Sequence, residues 1–192
     1  MPLSDQLSLL EKQVNDYLFL FPGEKEHLSH LKRQITIQDN LRTRKNFNGH
    51  LTASAYVLKG EELLMIHNIN LNKWLAPGGH WEEGDNELWN TAKRELREET
   101  GVIECDFVER HKKHQMIPID IDTHPIPDNP KKQEPSHFHH DFRYVFSLDH
   151  QQEIALQLEE VSQGERKKLS ELTGDVGFER VKAKILKYIL TV

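Results

Sequence analysis

The sequence predicts an α/β fold with a helical hairpin in front of it, on three observations. Apolar residues recur at steps of three and four between residues 4 and 21. Two runs of strand formers, 51–58 and 62–68, flank Lys59-Gly60-Glu61. A segment from 86 to 100 carries an apolar face and stops at Gly101. Steps of three and four stack side chains on one face of a helix, and a glycine turn between two apolar runs marks a hairpin.

In chain order, Leu7, Leu10, Val14, Tyr17, Leu18 and Phe21 give the first helix its stripe, and Pro22-Gly23 ends it. Leu28, Leu31 and Ile35 mark a second helix over about 24–37. Residues 1–46 therefore read as a helical extension (a packing cap, a dimer surface or a lid over substrate), and 47–192 as the main domain. Trp74–Gly79 reads as a short strand running into a glycine loop. Leu88, Trp89, Ala92 and Leu96 give the 86–100 helix its apolar face, and Gly101 stands where a C-terminal cap belongs. Residues 103–110 and 112–117 read as strands. The five prolines between 118 and 135 predict a loop, and the aromatic run 138–148 a strand. Helices are expected over 165–172 and 175–190, the second capped by Asp175 and packed through Phe178, Val181, Ile185 and Ile189.

A chain of 192 residues with 36% apolar content suits one domain with an added element. Its formal charge of −6 argues against a broad basic surface, so nucleic acid is not an expected partner. An acidic protein that handles phosphates also needs a cation to screen its carboxylates. Cys105 is the single cysteine, which precludes an intramolecular disulfide and suggests a reducing compartment. No apolar run approaches the ~20 residues that span a bilayer, and the first residues lack a signal-peptide pattern. A cytoplasmic chain without a membrane partner is the expectation.

The chemistry concentrates in residues 78–102, GGHWEEGDNELWNTAKRELREETGV. On a helix, Glu95 and Glu99 lie one turn apart on one face, and Glu98 flanks them. Like charges at these spacings repel, and a cation relieves the repulsion. Clustered carboxylate oxygens suit Mg²⁺ or Mn²⁺ rather than Zn²⁺. Arg94 can neutralise part of the cluster, and Gly78-Gly79 lets backbone approach a ligand closely. A helix rich in Glu and Arg is by itself usually a solvated face. The conjunction with two glycines, Glu82 and Gly84-Asp85 is not a generic surface pattern.

This segment resembles the Nudix box: a glycine, five residues, Glu, seven residues, then Arg-Glu-U-x-Glu-Glu-x-Gly-U, with U a bulky aliphatic. Gly79 matches the glycine, and Arg94, Glu95, Leu96, Glu98, Glu99, Gly101 and Val102 match the second half. Pro77-Gly78-Gly79-His80 also resembles a Nudix subgroup with Pro-Gly-Gly-His. The resemblance implies an α/β/α sandwich with a mixed sheet, and a metal-dependent hydrolase that cleaves a diphosphate linkage in a nucleoside diphosphate derivative or related phosphorylated small molecule. It implies that Glu98 and Glu99 bind Mg²⁺ or Mn²⁺, with the Gly79 carbonyl as a further ligand. Glu95 becomes a ligand or the base that activates water, and Arg94 holds a box glutamate in place. Related enzymes often form homodimers. The family's first Glu falls on Asp85, and eight residues rather than seven separate it from Arg94. Asp85 and Glu82 are expected behind the ligands, with Glu83 or Glu87 as substitutes, and Asp85 or Asn86 can cap the helix.

Strand alternation puts His137, His139, Asp141 and Arg143 on one face, and Phe138, His140, Phe142, Tyr144 and Phe146 on the other. His139 with Asp141 can bind metal, act as a base or contact phosphate, or line a polar surface. His80, beside the glycine loop, and Arg44, in the basic stretch 41–48, are candidate substrate contacts. His50 is a further candidate of this kind or a structural residue, and Trp74 and Trp81 read as core packing or base stacking. Glu159 and Glu160 are surface charge or an additional catalytic carboxylate. Three rival functions remain: a binding-only module on this fold, an isoprenoid-diphosphate isomerase using Cys105, and a histidine-rich zinc-binding protein.

Overall fold

The structure is a computed structural model, and it describes residues 3–69, 71–148, 155–156 and 161–190. Its helices are α1 (Leu3–Leu20), α2 (Ser29–Thr36), α3 (Leu88–Thr100), α4 (Glu109–Lys113) and α5 (Val176–Ile185). Its strands are β1 (His50–Lys59), β2 (Glu62–Asn68), β3 (Lys73–Leu75), β4 (Gly78–His80), β5 (Asp106–Phe107), β6 (Asp120–Ile126), β7 (His137–Ser147) and β8 (Val161–Lys168).

All eight strands join one mixed sheet. At its centre β1 and β7 run parallel, in register from His50 opposite His139 to Leu58 opposite Ser147. The other edge of β1 holds β4 near its start and β2 at its end, the latter through Gly60 at φ +60°. That left-handed turn is the expected hairpin. β2 carries β3 and β8, while β7 carries β6 and β5, all antiparallel.

Strand alternation divides the core in two. Leu51, Ala53, Ala55, Val57, Phe142, Tyr144 and Phe146 face Leu88, Ala92 and Leu96 of α3 together with Leu10, Val14 and Leu31 of the N-terminal hairpin. Tyr56, Leu58, Met65 and Val145 face Val181 and Ile185 of α5 on the opposite side. The α/β/α sandwich and the helical hairpin are thus both present. The α5 helix starts where Asp175 accepts a hydrogen bond from Phe178 N at 2.9 Å, and its last turn widens to a π-helix over Leu186–Leu190. No helix among the described residues is long and apolar enough to cross a membrane.

Several segments depart from the expected elements, and the second helix, expected over about 24–37, begins only at Ser29. Residues 120–126, expected as loop, form β6, an edge strand that tolerates Pro125 opposite Phe138. Its Asp120 and Asp122 are buried because they meet cations. Arg143 reaches both at 3.1 and 2.8 Å, Arg180 reaches both at 2.8–2.9 Å, and Lys184 reaches Asp120 at 2.7 Å. Arg180 and Lys184 belong to α5, so this network also fastens α5 to the sheet. Residues 161–168 pair with β2 instead of starting a helix at 165, and the ladder overrides the helix preference of Glu165, Arg166, Lys167 and Lys168. Residues 112–117, expected as strand, finish α4 and turn through Gln115 and Met116 at positive φ. Of the strand expected over 103–110, β5 alone forms.

The α4 turn is held by His111. Its Nδ1–H donates to Ile117 O at 2.8 Å, and its Nε2 accepts from Val145 N at 2.8 Å. The ring is fully buried, and burial pulls its pKa down to about 4. An imidazole free in the unfolded chain titrates near 6.5. Between these values the unfolded chain takes up a proton that the folded chain refuses. The neutral ring's full contribution is therefore present above about pH 6.5 and is lost as pH falls to about 4, a change of about 3 kcal/mol. Urea unfolding is expected to show lower stability at pH 5 than at pH 7. The His111→Leu variant should lose roughly 1–3 kcal/mol at pH 7, because Val145 N–H is left unpaired, and should show a shallower acid decline.

Candidate active site

Two glycines let β4 lie close against its neighbours, Gly78 against β1 and Gly79 against α3. A Cβ on Gly78 would lie 2.7 Å from Ala53 O and Ser54 Oγ, and one on Gly79 would lie 2.4–2.7 Å from the Glu95 carboxylate. Alternation along β4 thus turns Gly79 towards α3 and His80 towards the opposite face. The helix begins at Leu88, capped by Glu87, whose N–H donates to Asn90 Oδ1 at 3.1 Å while its own carboxylate receives the Asn90 N–H. The cap is therefore neither Asp85 nor Asn86. Gly101, at φ +69°, closes the other end and donates to Arg97 O at 2.9 Å.

Arg94 is the hub of the site. Its Nη1 donates to Glu95 Oε1 and to Glu98 Oε2, both at 2.9 Å, and its Nη2 to His80 O at 2.6 Å. Its Nε and Nη2 also meet Asp85 at 3.1–3.4 Å. Asp85 is buried, and its Oδ2 further accepts from Thr91 Oγ1 at 2.9 Å and Glu82 N at 3.2 Å. Trp81 Nε1 donates to Asp85 O at 2.8 Å, and the Arg42 guanidinium lies 4.8 Å from the Trp81 ring centre. Asp85 thus lies in the turn before α3, and Arg94 within the helix.

The three glutamates differ in setting. Glu99 is buried and accepts from Gly78 N at 3.0 Å. Glu98 is the most exposed of the three. Burial pushes the Glu95 carboxyl up to about 6; Arg94 opposes the rise, and Glu98 and Glu82 add to it. A carboxyl held that high carries negative charge its surroundings compensate incompletely. Hard oxygen donors and a cradle at Gly79 that a Cβ would fill are what Mg²⁺ or Mn²⁺ requires, so the residues present fit such an ion.

A family model described as NUDIX domain matches residues 49–187. The chain belongs to the Nudix family. It is 37% identical over 112 residues to a Lactococcus lactis subsp. cremoris protein named "Probable DHNTP pyrophosphohydrolase"; the match covers 58% of this chain, and the chain spans 62% of that relative's length. In fold this Nudix chain is similar to a C. elegans Ap4A hydrolase binary complex (TM-score 0.55, 15% identity, 72% of this chain and 96% of that one). It is likewise similar to the E. coli dihydroneopterin triphosphate pyrophosphohydrolase (TM-score 0.54, 12% identity, 71% and 95%).

The remaining candidates of this Nudix chain sit elsewhere. His139 and His80 lie with His50 on the sheet face away from α3, ring centres 4.8–5.1 Å apart. Arg44 pairs with Glu134 at 2.9 Å. Asp141 accepts from Ser54 and Thr52 at 2.9–3.2 Å and pairs with Arg143 at 2.9 Å. Trp74 packs beside His67 and under Lys167. Glu159 and Glu160 lie outside the described residues. His50 was the residue whose grouping the sequence did not reveal, because its neighbours come from two distant strands.

In the turn before α3, the Asp85 carboxylate accepts from four donor atoms. Asp85→Ala should lower stability by roughly 1.5–3 kcal/mol, read as a shift of the urea midpoint. A midpoint equal to wild type would contradict the clamp.

Proposed function

We propose that this Nudix chain is a pyrophosphohydrolase that cleaves a diphosphate linkage in a nucleoside diphosphate derivative or related phosphorylated small molecule, with Mg²⁺ or Mn²⁺. The observation that carries this reading is the Arg94 array, which holds Glu95 at the Gly79 cradle with its carboxyl raised to about 6.

In this reading Glu98 and Glu99, with the Gly79 carbonyl, hold the cation. When bound, the cation neutralises phosphate charge and acidifies water. With such an ion held there, Glu95 would stand as the ionised acceptor at neutral pH. Glu95 takes the proton that water loses as its oxygen bonds to phosphorus and the bridging P–O bond breaks. Arg94 is a positioning residue: it fixes Glu95 and Glu98, and Asp85 fixes Arg94 in turn. The names borne by the Lactococcus and E. coli proteins support including dihydroneopterin triphosphate among trial substrates.

Two rivals are weaker. A binding-only module has no need of all three glutamates. For the isomerase, burial pushes the Cys105 thiol up, away from the reactive thiolate form.

The test is a substrate panel with Mg²⁺ and Mn²⁺: dihydroneopterin triphosphate, nucleoside triphosphates, dinucleotide polyphosphates, nucleotide sugars and ADP-ribose, with every phosphorylated product detected. Glu98→Gln should cut kcat by about 100-fold or more while the chain stays folded. Gly79→Ala should cut turnover as well, with a much smaller change in Tm, since the displaced group is a carboxylate end. No product from any substrate, or near-wild-type turnover in Glu98→Gln, overturns the proposal.

A further inference from the structure

A second group of potential ligands lies on the sheet face opposite the glutamates. His50, His80 and His139 offer donor nitrogens that all lie within 4.8 Å of one another. They come from β1, β4 and β7. His50 pairs across the parallel ladder with His139, and Thr52, two residues along the same face, pairs with His80.

His50 supplies the independent observation. It is 2% exposed, and its Nδ1 lies 3.0 Å from Asn46 O. A carbonyl accepts only, so Nδ1 carries the hydrogen and Nε2 carries the lone pair. That Nε2 is buried without a hydrogen-bond partner. Buried polar atoms normally find one, so an orphan acceptor beside two further imidazoles points to a missing electrophile.

We propose that His50, His80 and His139 form a Zn²⁺ site, separate from the carboxylate site of the proposed hydrolase. Three neutral imidazoles are a Zn²⁺ ligand set, whereas Mg²⁺ takes oxygen donors. Zn–N bonds of about 2.0–2.1 Å need only modest closure of the three rings. The surroundings match a ligated histidine group. The Asn46 carbonyl fixes the His50 ring, as carbonyls do behind zinc ligands. His137 donates through Nδ1 to Pro135 O at 2.7 Å, so its Nε2 accepts from His139 Nε2 at 3.2 Å. That contact assigns the His139 proton to Nε2 and leaves a lone pair on its Nδ1. The nearby Arg44 is paired with Glu134, and Asp141 is held by Ser54, Thr52 and Arg143, which keeps the ligand set all-nitrogen. Three protein ligands leave a fourth position for water or an anionic oxygen.

The test uses the full chain without a histidine tag, stripped by chelator and equilibrated with Zn²⁺ in excess Mg²⁺. One Zn²⁺ per chain should remain after gel filtration, and Co²⁺ in its place should give the intense visible band of a four-coordinate ion. His80→Ala and His139→Ala should each weaken Zn²⁺ binding at least about 10-fold and abolish the band, while Glu98→Gln keeps both. Zinc-edge X-ray absorption of wild type should resolve imidazole back-scattering from three rings, a readout that needs no variant. Absence of retained Zn²⁺, wild-type binding in both histidine variants, or a carboxylate-only zinc environment would each overturn the site. None of these outcomes depends on hydrolysis, so failure here and failure of the proposed activity are separable.

Discussion

One guanidinium organises the face that carries the glutamates. Arg94 gathers Asp85 from the preceding turn, the His80 carbonyl from β4, and Glu95 and Glu98 from its own helix. Carboxylates at these helical spacings repel, and burial alone would protonate them. A planar fork of five donors can satisfy acceptors in several directions at once, which a lysine ammonium on a flexible stem does not do. The same contacts lock β4 against α3, so the geometry of the acidic cluster and the seating of the helix are a single event. Arg94 offers one positive charge against Asp85, Glu95 and Glu98, and that deficit is what the cation of the proposed function would balance.

The sheet then separates two chemistries by the period of two. Gly79 and His80 are neighbours, yet one faces α3 and the other faces away. Hard oxygen donors collect on one side and imidazoles on the other. The parallel pairing of β1 with β7 sets the second group, because a one-residue slip would move His50 and His139 to opposite faces. Further along the same face, Asp141 and Arg143 pass into the network with Asp120, Asp122, Arg180 and Lys184. That network is buried apart from part of Arg180, and its charged members pair with one another. Its cost in desolvation is met by mutual pairing and by directional bonds such as Arg143 to Gly177 O at 2.8 Å.

Much of this was legible where local signals agree with the tertiary outcome. The 86–100 helix had its stripe and its terminal glycine, the 51–68 hairpin had Gly60, and Asp175 had the helix it caps. The acidic spacing named the family before any fold was known. What stayed hidden depends on distant partners. Ile119-Asp120-Ile121-Asp122 alternates as a strand does, but aspartates among prolines look like loop until Arg143, Arg180 and Lys184 are known to meet them. The charged run at 165–168 looks helical until β2 offers a ladder. His50 looked structural because neither its register with His139 nor the proximity of His80 is written locally. Glu87 was overlooked as the cap because Asp85 is the better capping residue; Arg94 and Thr91 claim Asp85 instead.

The N-terminal hairpin bears on how the site is supported. The family model begins at residue 49, but the apolar face beneath α3 does not end there. Val14, Tyr17, Leu28, Leu31 and Leu41 are buried in the same cluster as Ala53, Phe142 and Leu96. Polar contacts repeat the attachment: Gln13 donates to the Tyr144 hydroxyl at 3.0 Å, and His140 Nε2 donates to Gln34 Oε1 at 2.7 Å. Uncovering that face would expose Phe142 and Tyr144, aromatic side chains whose burial is worth several kcal/mol together. The strand that would loosen is β7, which pairs with β1 along its length. β1 in turn is the strand against which β4 presents Gly79 to Glu95. The hairpin therefore acts on the acidic cluster through the sheet, by holding in place the surface on which α3 rests.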